Sequence, residues 1–111
     1  MSKEAEILQG TLDLLILKSL ALGPMHGFGV SLRIQHLSRD VLRVMQGSLY
    51  PALHRLEYQG LIQSDWGTSE NNRRAKFYSL TKAGEARLRA EVAQWQRVTA
   101  AVGMVLAATH T

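Results

Sequence analysis

The apolar residues of this 111-residue chain change their spacing at Gly60, from a helical period to the alternation of a strand. Before that glycine, Leu49, Leu53 and Leu56 are spaced like one face of a helix, which predicts a helix over about residues 47–59. After it, residues 61–66 and 73–80 alternate around a polar cluster, which predicts a β-hairpin. The fold class is therefore mainly α with a small β-hairpin (α+β).

Two helices precede this pair and one long helix follows it. Apolar residues are dense over residues 7–22, and Gly23 and Pro24 end that helix; residues 27–38 have an amphipathic helical pattern. Thr81 is a suitable N-cap for a last helix that runs to about residue 108. The order predicts a winged helix-turn-helix DNA-binding domain over residues 1–80, with its wing at about 61–80, followed by a dimerisation helix over residues 81–108.

Composition and motif spacing narrow the class of protein. The 13 basic and 9 acidic residues give a formal net charge of +4, which favours an anionic partner such as nucleic acid. The chain has no cysteine, which excludes disulfides and fits a reducing cytoplasm. Its longest apolar run, residues 100–108, is far below the ~18 residues of a membrane helix. The histidines lack metal-ligand spacing and no carboxylate pairs with a nucleophile, so we expect a cytoplasmic protein without membrane contact, cofactor, metal or enzymatic activity.

The third helix and the hairpin carry the candidate DNA contacts. In a helix-turn-helix the second helix enters the major groove with its N-terminal residues, and here these are Gln46, Ser48, Tyr50 and Pro51, then His54 and Arg55. The wing adds three basic residues with no acidic neighbour in the sequence: Arg73, Arg74 and Lys76. Each set also has a simpler interpretation. The helix residues can be the solvated side of a core helix, and the basic residues can protect an edge strand from pairing.

The same segments resemble a known family. Residues 46–57, QGSLYPALHRLE, followed by Gly-Leu-Ile, resemble the most distinctive motif of the PadR (phenolic-acid decarboxylase regulator) family. Residues 73–84, RRAKFYSLTKAG, resemble its wing strand and the start of its last helix, and residues 10–12 and 23–28 also match in kind and order. Gly29 and His54 depart from the family pattern. The resemblance covers nearly the whole chain. It implies a winged-helix homodimer that represses transcription from a palindromic operator and often responds to a small aromatic or drug-like ligand.

The apolar pattern of the last helix predicts the surface through which two copies of the chain dimerise. Six of its residues form a heptad-like apolar seam that is too long for this small domain to cover: Leu88, Val92, Trp95, Thr99, Val102 and Leu106. We expect the seam to dimerise against the partner's first helix, which presents Leu8 and Leu12. Two interpretations of Trp95 stay open, because it can simply pack in the seam or line a cavity and stack on a planar ligand. Trp66, in the first wing strand, is predicted to be a core residue.

These patterns predict a sequence-specific repressor of double-stranded DNA, and two alternatives remain. One is a winged-helix protein–protein interaction module that docks an acidic partner without specific DNA binding. The other is a repressor that senses no ligand. Polar side chains at the start of the third helix favour DNA over a protein partner, since a docking helix more often exposes apolar residues there.

Overall fold

The computed structural model describes residues 9–110 and contains the predicted helices and hairpin in the predicted order. The elements are α1 (Gln9–Ala21), β1 (Met25–His26), α2 (Gly27–Leu37), α3 (Gln46–Tyr58), β2 (Ile62–Thr68), β3 (Arg74–Leu80) and α4 (Lys82–Ala107). The fold class, a winged helix-turn-helix with a long C-terminal helix, is thereby confirmed. Leu8 lies outside the described residues.

The sheet has three antiparallel strands in the order β1-β3-β2, one more than the sequence predicted. In the wing, Ile62 pairs with Leu80 at the base and Thr68 with Arg74 near the tip. The extra strand β1 pairs Met25 with Tyr78 and adds a third strand beside β3. A two-residue strand is too short for alternation to be visible in a sequence, so only the pairing reveals it.

One apolar core holds the domain together. The inward faces of α1, α2 and α3 meet the base of the wing, and the core residues exposed by 1% or less are Ile16, Leu17, Val30, Leu49, Ala52, Leu53, Leu56 and Ile62. Leu12, expected at the dimer interface, is only 3% exposed within one protomer and belongs to this core. It therefore has little surface left to offer a partner.

The prediction that Trp66 lies in the core is wrong, because its side chain is 60% exposed. It shares a strand face with Ile62, which is 1% exposed, and with the half-buried Ser64. Burial on this face thus declines from the base of the hairpin towards its tip. The helical layer covers only the base, so a residue in the correct phase is still solvated further out.

A glycine and a threonine at the base of the wing set where α3 ends and α4 begins. Gly60, at a φ of +75°, ends α3 in a conformation that favours glycine. The predicted N-cap is confirmed, since Thr81 Oγ1 accepts a hydrogen bond from the Gly84 N–H at 3.0 Å. The same hydroxyl donates to the Gly60 carbonyl at 2.7 Å. One side chain therefore ties the end of α3 to the start of α4.

Two interactions position α2 against its neighbours. His26 caps the helix, because its Nδ1 accepts the Gly29 N–H at 3.0 Å. Arg33 donates from Nη1 to the carbonyls of Ser19 and Gly23, at 2.6 and 2.8 Å, and so satisfies acceptors at the end of α1. A Cβ at position 29, where the family pattern has a better helix former, would overlap the Met25 side chain, so that side chain would have to move.

Candidate nucleic-acid interface

The outer face of α3 is solvent-exposed along its length. Its inner stripe, Leu49, Leu53 and Leu56, is buried at 1% exposure or less. The opposite stripe is exposed, and of the predicted contacts it includes Pro51 and His54, with Gln46 and Ser48 exposed at the start of the helix. This is the arrangement that a groove-binding helix needs, with polar groups free at its N-terminal end.

Tyr50 lies between that outer face and the wing. Its side chain is 38% exposed, and its ring packs so closely on the start of α2 that a Cβ at Gly27 would lie 2.9 Å from Tyr50 Cε1. Glycine at position 27 therefore lets the phenol rest against the helix backbone. The ring is held in place before any ligand arrives.

The wing and α3 enclose an open cleft with a volume of about 350 Å³. It brings together predicted contacts from both elements, Tyr50, His54 and Lys76, although they are far apart in the sequence. The other lining residues are His26, Gly27, Phe28, Trp66, Ala75 and Tyr78. A concave strip of this kind, with cationic and hydroxyl groups, suits the sugar-phosphate backbone of a nucleic acid.

Lys76 has an acidic neighbour that the sequence did not reveal. Glu57, on α3, places Oε1 3.9 Å from Lys76 Nζ and accepts a hydrogen bond from the Ser64 hydroxyl at 2.6 Å. The expectation that no acidic residue offsets the basic wing is therefore wrong for Lys76. Arg73 and Arg74 are both exposed near the tip.

Arg55 contacts α1. Its Nη2 forms an ion pair and hydrogen bond with Asp13 Oδ1 on α1, and both side chains are partly buried. The pair joins residues that are 42 positions apart and links α3 to α1. Its guanidinium is thus engaged within the domain, unlike the exposed arginines of the wing.

Two exposed aromatic residues near this surface were absent from the predicted DNA contacts. Tyr58, in the last turn of α3, is 93% exposed on the outer stripe. Helical spacing from His54 could have identified it, because the two residues are one turn apart. Trp66 lies under the guanidinium of Arg74, whose Cζ is 4.4 Å from the indole ring centroid.

Two groups on or beside the wing have shifted pKa values. Burial raises the pKa of the Tyr78 hydroxyl above its usual value, and the nearby Glu57 carboxylate adds to that shift. At the tip of the wing, a backbone hydrogen bond lowers the pKa of Glu70, with His26 as a further cause. His26 Nε2 lies 3.5 Å from Glu70 Oε1, so the N-cap of α2 also contacts the wing loop.

The C-terminal half of α4 leaves a second surface uncovered. Leu88 packs against the core and Val92 is half-buried, whereas every described residue from Ala93 onward is exposed. On the predicted seam, Trp95 is 46%, Val102 50% and Leu106 80% exposed. Thr99 lies between Trp95 and Val102 on the seam, and its hydroxyl donates a hydrogen bond to the Trp95 carbonyl.

Trp95 also lines a groove between α1 and α4. The groove has a volume of 280 Å³, and its other lining residues are Gly10, Thr11, Leu14, Glu91, Gln94 and Val98. On α1 it is thus Leu14, and not Leu12, that faces this space. Within residues 9–110 no helix is long and apolar enough to cross a membrane, and that part of the chain has no cluster of three or more potential metal ligands.

Comparison with known proteins identifies the family. The family model described as "Transcriptional regulator PadR-like family" matches residues 16–90. The transcriptional regulator Rv3488 of Mycobacterium tuberculosis is 39% identical over 83 residues, which cover 75% of this chain and 74% of that protein.

Solved structures agree with this match. A PadR-like transcriptional regulator from Bacillus cereus has a TM-score of 0.79 at 25% identity, with 95% of this chain and 100% of that chain covered. A PadR family transcriptional regulator from Eggerthella lenta has a TM-score of 0.75 at 32% identity, with 91% and 86% covered. The chain therefore belongs to the PadR-like family of transcriptional regulators.

Proposed function

We propose that the protein is a homodimeric repressor that binds a palindromic operator in double-stranded DNA and is released by a small planar aromatic compound. The observation that carries the proposal is the joint surface of α3 and the wing, where Tyr50, His54 and Lys76 line one cleft. A major-groove helix flanked by basic side chains can contact bases and phosphates at the same time.

Each element has a distinct role in this proposal. Exposed side chains at the start of α3 contact base edges, namely Gln46, Ser48, Pro51 and His54, while Tyr50 donates its hydroxyl to a phosphate. The wing supplies Arg73, Arg74 and Lys76 to the adjoining backbone or minor groove. Arg55 acts through its ion pair with Asp13, which sets the orientation of α3.

Dimerisation through α4 follows from the exposed apolar side chains of that helix. Trp95, Val98, Val102 and Leu106 are 44–80% exposed in one protomer. Full burial of such a side chain contributes ~1.5–3 kcal/mol, so burial of the parts still exposed contributes about 4 kcal/mol per protomer before ordering costs. A second copy provides the matching apolar seam. The two α3 helices of the resulting dimer are then related by a two-fold axis, as are the half-sites of a palindromic site.

The groove beside Trp95 is the proposed effector site. An indole that is 46% exposed offers a flat apolar face, and Leu14 and Val98 add apolar walls. A planar aromatic compound can stack there between α1 and α4. Because α4 also forms the proposed interface, a ligand in the groove changes how the two wings are spaced.

Binding to the protein's own upstream DNA tests the proposal. The purified protein is titrated with that duplex and with a scrambled duplex, across a salt series. We expect nanomolar, sequence-preferring affinity that falls steeply with salt, since phosphate contacts release counterions. Equal and weak binding to both duplexes would contradict the repressor function and favour the docking of an acidic protein.

Sedimentation measurements test the dimer separately. Val102→Glu places a charge in the seam and should convert the dimer to a monomer. Ala93→Glu places the same charge on the opposite, exposed side of α4 and serves as the matched control. If both variants sediment like the wild type, α4 is not the interface.

A further inference from the structure

We infer that Trp66 is a positioning residue for DNA binding, which holds the Arg74 guanidinium ready to engage a phosphate. The inference rests on the proposed DNA-binding function and extends it to a residue that the sequence placed in the core. The observations that carry it are the exposure of the indole and its contact with Arg74.

The contact between the two side chains is a cation–π interaction across the wing. Arg74 pairs with Thr68 in the sheet, and Trp66 lies two residues before Thr68 in β2, on the same face. The Arg74 Cζ atom lies 4.4 Å from the indole centroid, well within the ~6 Å range of this interaction. Diagonal neighbours on a sheet are within reach of long and aromatic side chains, so the wing pairing itself brings the two together.

Contact with the indole on one side is compatible with phosphate binding. The Arg74 guanidinium carbon lies over the ring, and a guanidinium held in this way can still direct its in-plane N–H donors to two phosphate oxygens. An unrestrained arginine loses much of its side-chain freedom when it binds, and a stacked one has lost part of it already. The indole therefore raises affinity without contributing charge.

The location of the pair supports a role at the DNA surface. Trp66 lines the cleft between the wing and α3 together with Tyr50 and His54. An indole that is 60% exposed contributes little to the core. Its position instead orients Arg74 beside the groups that are proposed to contact the same duplex.

A double-mutant cycle tests the inference, with binding to the upstream duplex measured for the wild type, Trp66→Leu, Arg74→Ala and the double variant. We expect Trp66→Leu to weaken binding about 3- to 10-fold, as an interaction of this type allows. The slope of affinity against salt should stay unchanged in this variant, because no charge is lost. Arg74→Ala should reduce the slope by about one phosphate contact. In the Arg74→Ala background, Trp66→Leu should have less than a 2-fold effect.

Two conservative variants separate positioning from folding. Arg74→Lys keeps the charge but loses the planar group, so it should match Trp66→Leu in affinity and keep the wild-type slope. Trp66→Phe keeps a smaller ring and should recover part of the affinity. Circular dichroism and thermal melting show whether each variant keeps the secondary structure and stability of the wild type.

The inference is overturned if Trp66→Leu binds like the wild type, or if its loss is equally large without Arg74. The second result would mean that Trp66 acts on its own. A wild-type protein that does not prefer its own duplex contradicts the proposed function instead, so the two failures are distinguishable.

Discussion

Replacing Gly84 with alanine should destabilise the domain, although alanine is the better helix former. Gly84 lies in the first turn of α4 and is buried against the base of the wing. A Cβ there would overlap the carbonyl oxygen of Leu61 and lie 2.7 Å from Leu80 Cδ1. The Leu61 carbonyl also accepts the Thr81 N–H at 3.2 Å, so it cannot move alone. The start of α4 must shift away from the wing.

Two opposing effects set the magnitude. In a helix interior, alanine is favoured over glycine by about 1 kcal/mol. Overpacking typically costs ~1–3 kcal/mol, and the upper end applies here because the overlapping atom belongs to the backbone. The net loss is about 2 kcal/mol of unfolding free energy. For a domain of this size, that corresponds to a melting temperature about 10 °C lower.

Chemical and thermal unfolding at one fixed protein concentration measure this change, since the stability of a dimer depends on concentration. Gly103→Ala is the matched control in the same helix, where an added Cβ meets no atom within 4 Å. It should gain up to about 1 kcal/mol. A Gly84→Ala variant as stable as the wild type, beside a normal control, would refute the packing argument.

Three further predictions follow from single contacts. Gly27→Ala should displace the Tyr50 ring and weaken DNA binding several-fold with little change in stability; unchanged affinity in a titration would count against a role for that ring. Thr81→Ala should lose about 1 kcal/mol in denaturant unfolding as the N-cap is removed, whereas Thr81→Ser should stay near the wild type. Tyr78 has a raised pKa when folded, so the unfolded chain ionises first as the pH rises. Wild-type stability should thus fall above about pH 10, and Tyr78→Phe should remove this component of the pH profile.

Much of the winged-helix fold could be predicted from the chain alone because its determinants are local. Apolar spacing defined α3 and the change to strands at Gly60, and the N-cap at Thr81 was visible as a residue type in front of a helical pattern. The basic residues of the wing were likewise adjacent in the sequence. Such features depend on a few neighbouring residues, so they can be predicted without knowing which helices and strands pack against them.

The arrangement of the site depended on contacts between distant segments. The sequence could not reveal that Glu57 faces Lys76, that Asp13 engages Arg55, or that Trp66 lies beyond the helical layer. The same is true of β1, which is a strand only because β3 lies beside it. Periodicity indicates which side of an element is apolar, but what covers that side, and how far the cover extends, is decided only when helices and strands pack together.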